Sequence, residues 1–299
     1  MSFTIARSID DVLAALAKGA RPVAGGSDLV VAARHGANPL PADLVAIDRV
    51  RELASIVVDP AGCAIGAGVT HATLMTDETI TGTYSALADA SALVGSPATR
   101  NVGTLGGNVM NASPAMDTGA PLVVLDATVE LQSQLGSRQM PIRDLWTGPG
   151  TTTANSDELC TTIHLPPSPV RSSSAYVRLE YRRAMEIAVV GAAAWVELGS
   201  DATVASARVA LAAVAPTIIS VTDLNVAGKP VNDDLLAAVA AAASEQASPI
   251  SDLRASDTYR RHTVGVMASR AFAAACRRAN GEQLGVPVNH SSGIGSSHE

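Results

Sequence analysis

Two pairs of adjacent glycines, Gly25-Gly26 and Gly106-Gly107, constrain this chain more than any other feature. Glycine reaches backbone conformations other residues avoid and has no Cβ to hold a neighbour off. The first pair stands in Val23-Ala24-Gly25-Gly26-Ser27-Asp28-Leu29, where a short strand over 21–24 runs into a helix expected over 28–35. Free N–H groups at a helix start favour an anion such as phosphate. A tight strand-to-helix turn capped by Ser27 or Asp28 accounts for the same residues. The second pair lies in Ala98-Thr99-Arg100-Asn101-Val102-Gly103-Thr104-Leu105-Gly106-Gly107-Asn108, in a loop expected over 95–115 that ends in Ala112-Ser113-Pro114-Ala115-Met116-Asp117. Its Gly, Asn, Thr and Ser residues can offer many donors to one polar ligand, and Asp117 can accept from sugar or ribityl hydroxyls. The alternative is a plain connection, but the Val, Leu, Met and Ala content argues for partial burial. Long loops in compact domains tend to be functional. Two such elements near helix starts together point to a dinucleotide with two phosphates.

The usual nucleotide signatures are missing. Gly66-Ala67-Gly68-Val69-Thr70-His71 begins like a Rossmann fingerprint but has His where the third glycine must pack helix on strand. Lys229, between Gly228 and Pro230, reads as turn chemistry rather than a phosphate loop. The six His show no metal-ligand spacing, and no Ser sits in a Gly-x-Ser-x-Gly setting. No catalytic residue and no metal ligand is therefore assigned. Arg178, Arg182, Arg183 and Glu186 read either as a solvated face or as a positive cluster opposite an anionic cofactor. Three Cys without a C-x-x-C pair exclude an iron–sulfur cluster ligated by this chain alone. A net charge of −7, with only two Trp, four Tyr and two Phe, argues against a nucleic-acid surface. The longest uncharged stretch, Pro60 to Thr76, is too polar and short of the roughly 18 apolar residues of a membrane span. Asp10 and Asp11 interrupt any apolar signal core, so a cytoplasmic location is expected.

Residues 1–55 alternate strand and helix, opening with a three-turn helix at Ser8-Ile9-Asp10-Asp11 that stops at Gly19. Two short strands flank the Asp59-Pro60-Ala61-Gly62 turn, and helices are expected over 71–78 and 83–94. A helix over 119–126, a hairpin over 128–141 and a strand over 158–165 follow, then a linker over 167–174. Three strand-like runs (175–181, 187–198, 204–214) and two helices (233–247, 256–280) suggest a separate α+β unit. The polar end from about 283 is expected to be a disordered tail.

At these motifs the sequence resembles the FAD-binding medium subunit of the molybdenum hydroxylases, the group that includes carbon monoxide, nicotinate and xanthine dehydrogenases. AGGSDL at 24–29 is similar to that family's first pyrophosphate loop, TRNVGTLGGN at 99–108 to its second, and ASPAMD at 112–117 to the segment after it. Glu158-Leu159-Cys160, the 182–190 run and Ser251-Asp252-Leu253-Arg254-Ala255-Ser256 with Tyr259-Arg260 extend the likeness over residues 3 to about 281. The resemblance implies an α+β protein: a two-lobed FAD-binding domain of the vanillyl-alcohol-oxidase-like (PCMH-type) fold plus a small C-terminal α+β domain with an antiparallel sheet. It implies lobes at 1–55 and 56–170, a C-terminal domain at 171–282, and a tail at 283–299.

Carried over by position, Arg21, Pro22, Val23, Ala24, Gly25, Gly26, Ser27, Asp28 and Leu29, with Gly103, Thr104, Leu105, Gly106, Gly107 and Asn108, would wrap the pyrophosphate and ribityl chain. Thr104 and Asn108 would donate from their side chains, Ser113 and Asp117 would hold cofactor hydroxyls, and Cys160 would meet the adenine side through its backbone. Arg178, where many members carry Lys, and Ile187 would lie by the flavin. FAD is thus expected in this chain, with molybdopterin and two [2Fe–2S] clusters only in partner subunits, a small iron–sulfur chain and a large molybdenum chain in a heterotrimer. The acceptor of the electrons is left open. The alternative is a stand-alone flavin reductase of the same superfold, such as a UDP-N-acetylenolpyruvoylglucosamine reductase.

Overall fold

The computed structural model describes residues 2–36, 39–182 and 184–290; Arg183 and residues 291–299, on which parts of the arginine and tail expectations fall, lie outside them. The N-terminal segment runs β1 (Ser2–Ile5), α1 (Ile9–Leu16), β2 (Arg21–Val23), α2 (Ser27–Arg34) and β3 (Asp43–Ala46). Helix α1 starts where its capping box predicts: Ser8 Oγ accepts the Asp11 N–H and the Asp11 carboxylate accepts the Ser8 N–H, both at 3.2 Å. It ends at Leu16, nearer two turns than the expected three, before Gly19 at φ +87°. The strands form a parallel sheet in the order β1-β3-β2. Val12, Leu13 and Leu16 pack with Val45, Val50, Leu53 and Leu159 into a small core.

The middle segment holds β4 (Ile56–Asp59), β5 (Gly62–Gly66), α3 (His71–Leu74), α4 (Glu78–Thr83), α5 (Ser85–Leu93), α6 (Pro97–Val102), α7 (Leu105–Asn111), α8 (Gly119–Val124), β6 (Thr128–Ser133), β7 (Gly136–Pro141), β8 (Trp146–Gly148), β9 (Thr151–Thr152) and β10 (Leu159–Leu165). Its sheet is antiparallel, in the order β4-β5-β10-β6-β7. The helix expected over 71–78 is two, because Asp77 caps a new start by accepting the Thr79 and Ile80 N–H groups at 3.0 Å. The expected loop over 95–115 also contains helices. Ser96 caps α6, whose first residue is Pro97, and Thr104 caps α7 by accepting the Gly107 N–H at 3.1 Å. Glycines that lower helix propensity here sit in the first turn of α7 rather than in a coil.

The last segment is β11 (Ser172–Leu179), β12 (Val190–Leu198), β13 (Val204–Ala212), β14 (Ile219–Ser220), α9 (Asp233–Gln246) and α10 (Asp257–Ala279). Strand β11 begins inside the expected linker. The sheet is antiparallel in chain order, and successive residues of β12 face different cores. Ala193 and Trp195 join the core of the middle segment, while Ala192, Ala194 and Val196 join a core with α9 and α10. A strand covered on both faces reads as the near-continuous apolar run seen in its sequence. The segment after α10 departs from the expected free tail over 283–290. Asn289 is fully buried, its side chain donating to the Arg178 carbonyl and accepting the Arg178 N–H, each at 3.0 Å. Apolar packing of Val288 and Leu284 on the α9–α10 core explains the ordering.

Candidate functional site

The fold brings the two glycine segments together. A Cβ on Gly25 would run into the Val102 carbonyl, so only glycine lets the 24–29 and 99–108 segments close on each other. A Cβ on Gly103 would stand 3.0 Å from the Thr99 carbonyl oxygen, 3.4 Å from His71 Cδ2 and 3.7 Å from Ser27 Oγ. Gly26 takes φ +68°, turning the chain from β2 into α2, and no side chain caps that helix. Its first N–H groups are therefore left to solvent or a ligand. Gly106 packs α7 against the 66–70 segment: its N–H donates to the Ala67 carbonyl at 2.8 Å. Gly107 differs, because a Cβ there would meet only the Thr104 hydroxyl, at 3.0 Å. Its far side is open.

The polar side chains expected around a cofactor are partly committed to one another. Thr104 Oγ1 takes the Gly107 N–H but keeps its own proton to give. Asn108 Oδ1 accepts from Thr118 Oγ1 at 2.6 Å, which leaves its amide N–H groups available. Asp117 accepts from Tyr176 Oη and from Arg178 Nη1, both at 2.8 Å. Arg178 is fully buried, its Nε donates to Glu180 at 2.8 Å, and its Nη1 reaches the Glu186 carbonyl at 3.4 Å. Of the two readings of the arginine run, Arg178 is thus no solvated residue, whereas Arg182 is exposed and pairs with Glu186. Tyr176 lies over Gly191 on the neighbouring strand, where a Cβ would strike its hydroxyl. Burial first, then the Asp117 carboxylate, pushes the Tyr176 phenol well above its ordinary value, so it stays a donor.

Cys160 precedes an irregularity in the β10–β6 pairing at Thr161. Burial and then Glu130 push its thiol up to about 12, so backbone rather than thiolate chemistry is what this position offers. The Thr161 carbonyl accepts the Ala67 N–H at 2.9 Å, and the Ala67 carbonyl accepts from Gly106, tying this strand to the second glycine segment. Ser113 Oγ accepts the Ala115 N–H at 3.3 Å, shaping the turn that leads to Asp117. The Met185 N–H donates to the Gly95 carbonyl at 3.0 Å, bringing the 185–187 loop to the start of the second glycine region. Ile187 is 57 % exposed and Arg21 is exposed; among the described residues no hydrogen bond ties either to a glycine segment. His71, Arg100 and Tyr176 are the neighbours that motif reading passed over. In the sequence only the Gly66-x-Gly68-x-Thr70-His71 run, an incomplete Rossmann-like pattern, marks the first of them.

Comparison with known proteins assigns both parts of the chain. Residues 1–168 match the FAD binding domain in molybdopterin dehydrogenase, and residues 174–275 match the CO dehydrogenase flavoprotein C-terminal domain. The putative xanthine dehydrogenase FAD-binding subunit of Escherichia coli (strain K12) is 30 % identical over 88 % of this chain and 91 % of its own length. The glyceraldehyde dehydrogenase medium chain of Sulfolobus acidocaldarius is 32 % identical over 84 % of this chain and 89 % of its own. Among solved structures, a chain of reconstituted CO dehydrogenase from Oligotropha carboxidovorans superposes with a TM-score of 0.88 at 29 % identity, covering 93 % of this chain and 98 % of its own. A chain of quinoline 2-oxidoreductase from Pseudomonas putida 86 gives 0.87 at 27 % identity over the same shares.

Proposed function

From the premise that this chain belongs to the family of FAD-binding subunits of molybdenum hydroxylase complexes, we propose that it takes electrons from [2Fe–2S] clusters of a small partner subunit and passes them to an external acceptor. A large molybdenum subunit would carry the substrate chemistry. Bound FAD supplies the redox step, able to gather electrons one at a time and release two. The residues here fit such a group. The uncapped start of α2 and the open side of Gly107 leave N–H donors and space for a pyrophosphate, and Thr104 and Asn108 keep donors free. Asp117 is held in place by Tyr176 and Arg178, so its remaining lone pairs can orient cofactor hydroxyls. Arg178 adds a buried positive charge beside it. No side chain is assigned as a general acid or base.

The observation that carries this reading is the closure of Gly25 on Val102, which makes one site of two distant sequence segments. Division of the chain into lobes at about 55 and 170, and a reducing cytoplasmic setting supported by three free, buried thiols, belong to the same proposal. Gly107→Asp would place a side chain and a negative charge in the open space, and is expected to abolish the visible flavin spectrum of the purified chain. Full flavin occupancy in that variant would sink the assignment. Co-purification with an iron–sulfur partner tests the electron route.

A further inference from the structure

Strand β11 lies at an edge of its sheet, with β12 on one side and no strand of the described residues on the other. In an antiparallel pair the backbone groups of alternate residues point away from the partner strand, so an edge strand needs other partners for them. Side chains supply them here. The Ser174 carbonyl accepts from Arg278 Nη1 at 2.9 Å, the Tyr176 N–H donates to Asp89 at 3.1 Å, and both backbone groups of Arg178 are taken by the Asn289 amide at 3.0 Å. Asn289 thus stands in for a neighbouring strand at one position. It is fully buried, and the residue before it anchors the segment: Val288 packs on the α9–α10 core and its N–H donates to Asp89 at 2.9 Å. The family match to the C-terminal domain stops at residue 275, short of this segment.

The same stretch of β11 holds Asp117. Tyr176 and Arg178 are two residues apart, so their side chains leave the strand on one face, and both end on the Asp117 carboxylate at 2.8 Å. The Arg178 guanidinium is also paired with Glu180, Nε at 2.8 Å and Nη2 at 2.7 Å, so it has little freedom to turn. The place of Asp117 is therefore set by where the β11 backbone lies at 176–178. Asn289, Tyr176 and Arg178 are fully buried, whereas Asp117 is 7 % exposed and is the one of the four that a ligand can reach.

Resting on the reading of Asp117 as the residue that orients cofactor hydroxyls, we propose that Asn289 is a positioning residue for FAD binding. It fixes the β11 backbone at Arg178, and through Arg178 it fixes the Asp117 carboxylate. Without its amide, both backbone groups of a fully buried residue lose their partners, and β11 must shift to satisfy them.

The test uses the full chain, with any subunits that co-purify, after removal of flavin, as wild type, Asn289→Leu, Asp117→Asn, the double variant and Gly265→Ala. FAD affinity is read by flavin fluorescence titration at a temperature where circular dichroism shows each variant folded, and stability by thermal melting. Asn289→Leu is expected to melt lower and to bind FAD about ten-fold more weakly, the worth of one lost hydrogen bond. The Cβ added in Gly265→Ala presses first on Ala240 and Ser244 of α9. That variant is expected to melt lower too but to bind FAD as wild type does. Asp117→Asn is expected to bind weakly, and Asn289→Leu added to it to weaken binding by no more than about two-fold further, because the carboxylate being positioned is gone. Should Asn289→Leu not fold, Asn289→Ser, which keeps a hydroxyl beside Arg178, takes its place in the same cycle. Unchanged FAD affinity in the Asn289 variant, an equal loss in Gly265→Ala, or full additivity in the double variant would each overturn the proposal. Unchanged affinity in Asp117→Asn would instead overturn the reading of Asp117 itself, and the proposal with it.

Discussion

At the scale of single residues, the chain separates charges that tie distant turns together from charges left to solvent. Arg138 holds Glu158 in a two-pronged pair at 2.6 and 2.7 Å, and the Asn155 N–H adds a third donor at 2.7 Å. That guanidinium holds the Glu158 carboxyl below its usual range. Because the folded-state value is the depressed one, the stabilisation is complete above the ordinary glutamate value of about 4.3 and is lost as the pH falls through the folded value. Glu158→Gln is therefore expected to flatten the acid limb of the melting-temperature profile below about pH 4.3. A limb as steep in the variant as in wild type would contradict this. Motif reading could name Glu158 as part of a family-like segment, but not its partner 20 residues away across the hairpin.

At the scale of elements, caps were legible and short helices were not. Ser8, Asn232 and Ser256 each accept a backbone N–H three residues on, and all three helices start there. Helix α7 was hidden, because two glycines in its first turn look like coil. It is held by the Thr104 cap and by contact of Gly106 with Ala67, neither of which is visible as periodicity. The crossing of α9 and α10 depends on a third glycine. A Cβ on Gly265 would stand 2.6 Å from the Ala240 carbonyl oxygen and press on Ser244 Oγ. Gly265→Ala gains helix propensity of about 1 kcal/mol but must push the helices apart, which typically costs about 1–3 kcal/mol. The expected result is a net loss of stability in urea unfolding; a rise would show that the helices can shift freely.

At the scale of the whole molecule, the last sheet is shared between two cores, so its segment and the middle one are packed as neighbours. Helix α5, every residue of it buried, lies against β11 and carries Asp89. That carboxylate accepts Arg278 from α10 at 2.7 and 3.0 Å, the Tyr176 N–H at 3.1 Å and the Val288 N–H at 2.9 Å. Four donors from three parts of the chain converge on one buried acid. Arg278→Ala leaves it without its cation and is expected to cost about 3–5 kcal/mol, read by denaturant unfolding; a change within error would contradict the pairing. Truncation after Glu282 removes the Val288 and Asn289 contacts and is expected to lower the melting temperature, whereas a free tail would leave it unchanged.

The amino-acid order determined the α+β alternation, the starts of α1, α9 and α10 and the two glycine segments, since capping, turn chemistry and hydrophobic period act over a few residues. Tertiary structure decided what lies across from what: Gly25 against Val102, Arg178 turned inward to Asp117 rather than outward with Arg182, and the 284–289 segment folded back on α9 and α10. These depend on which surfaces exclude water together, a property of the assembled layers and not of any local run. His71 shows the division most plainly. Its position after Gly66-x-Gly68 was readable, but its Nδ1 is left without a hydrogen-bond partner among the described residues only once α3 is buried against the second glycine segment.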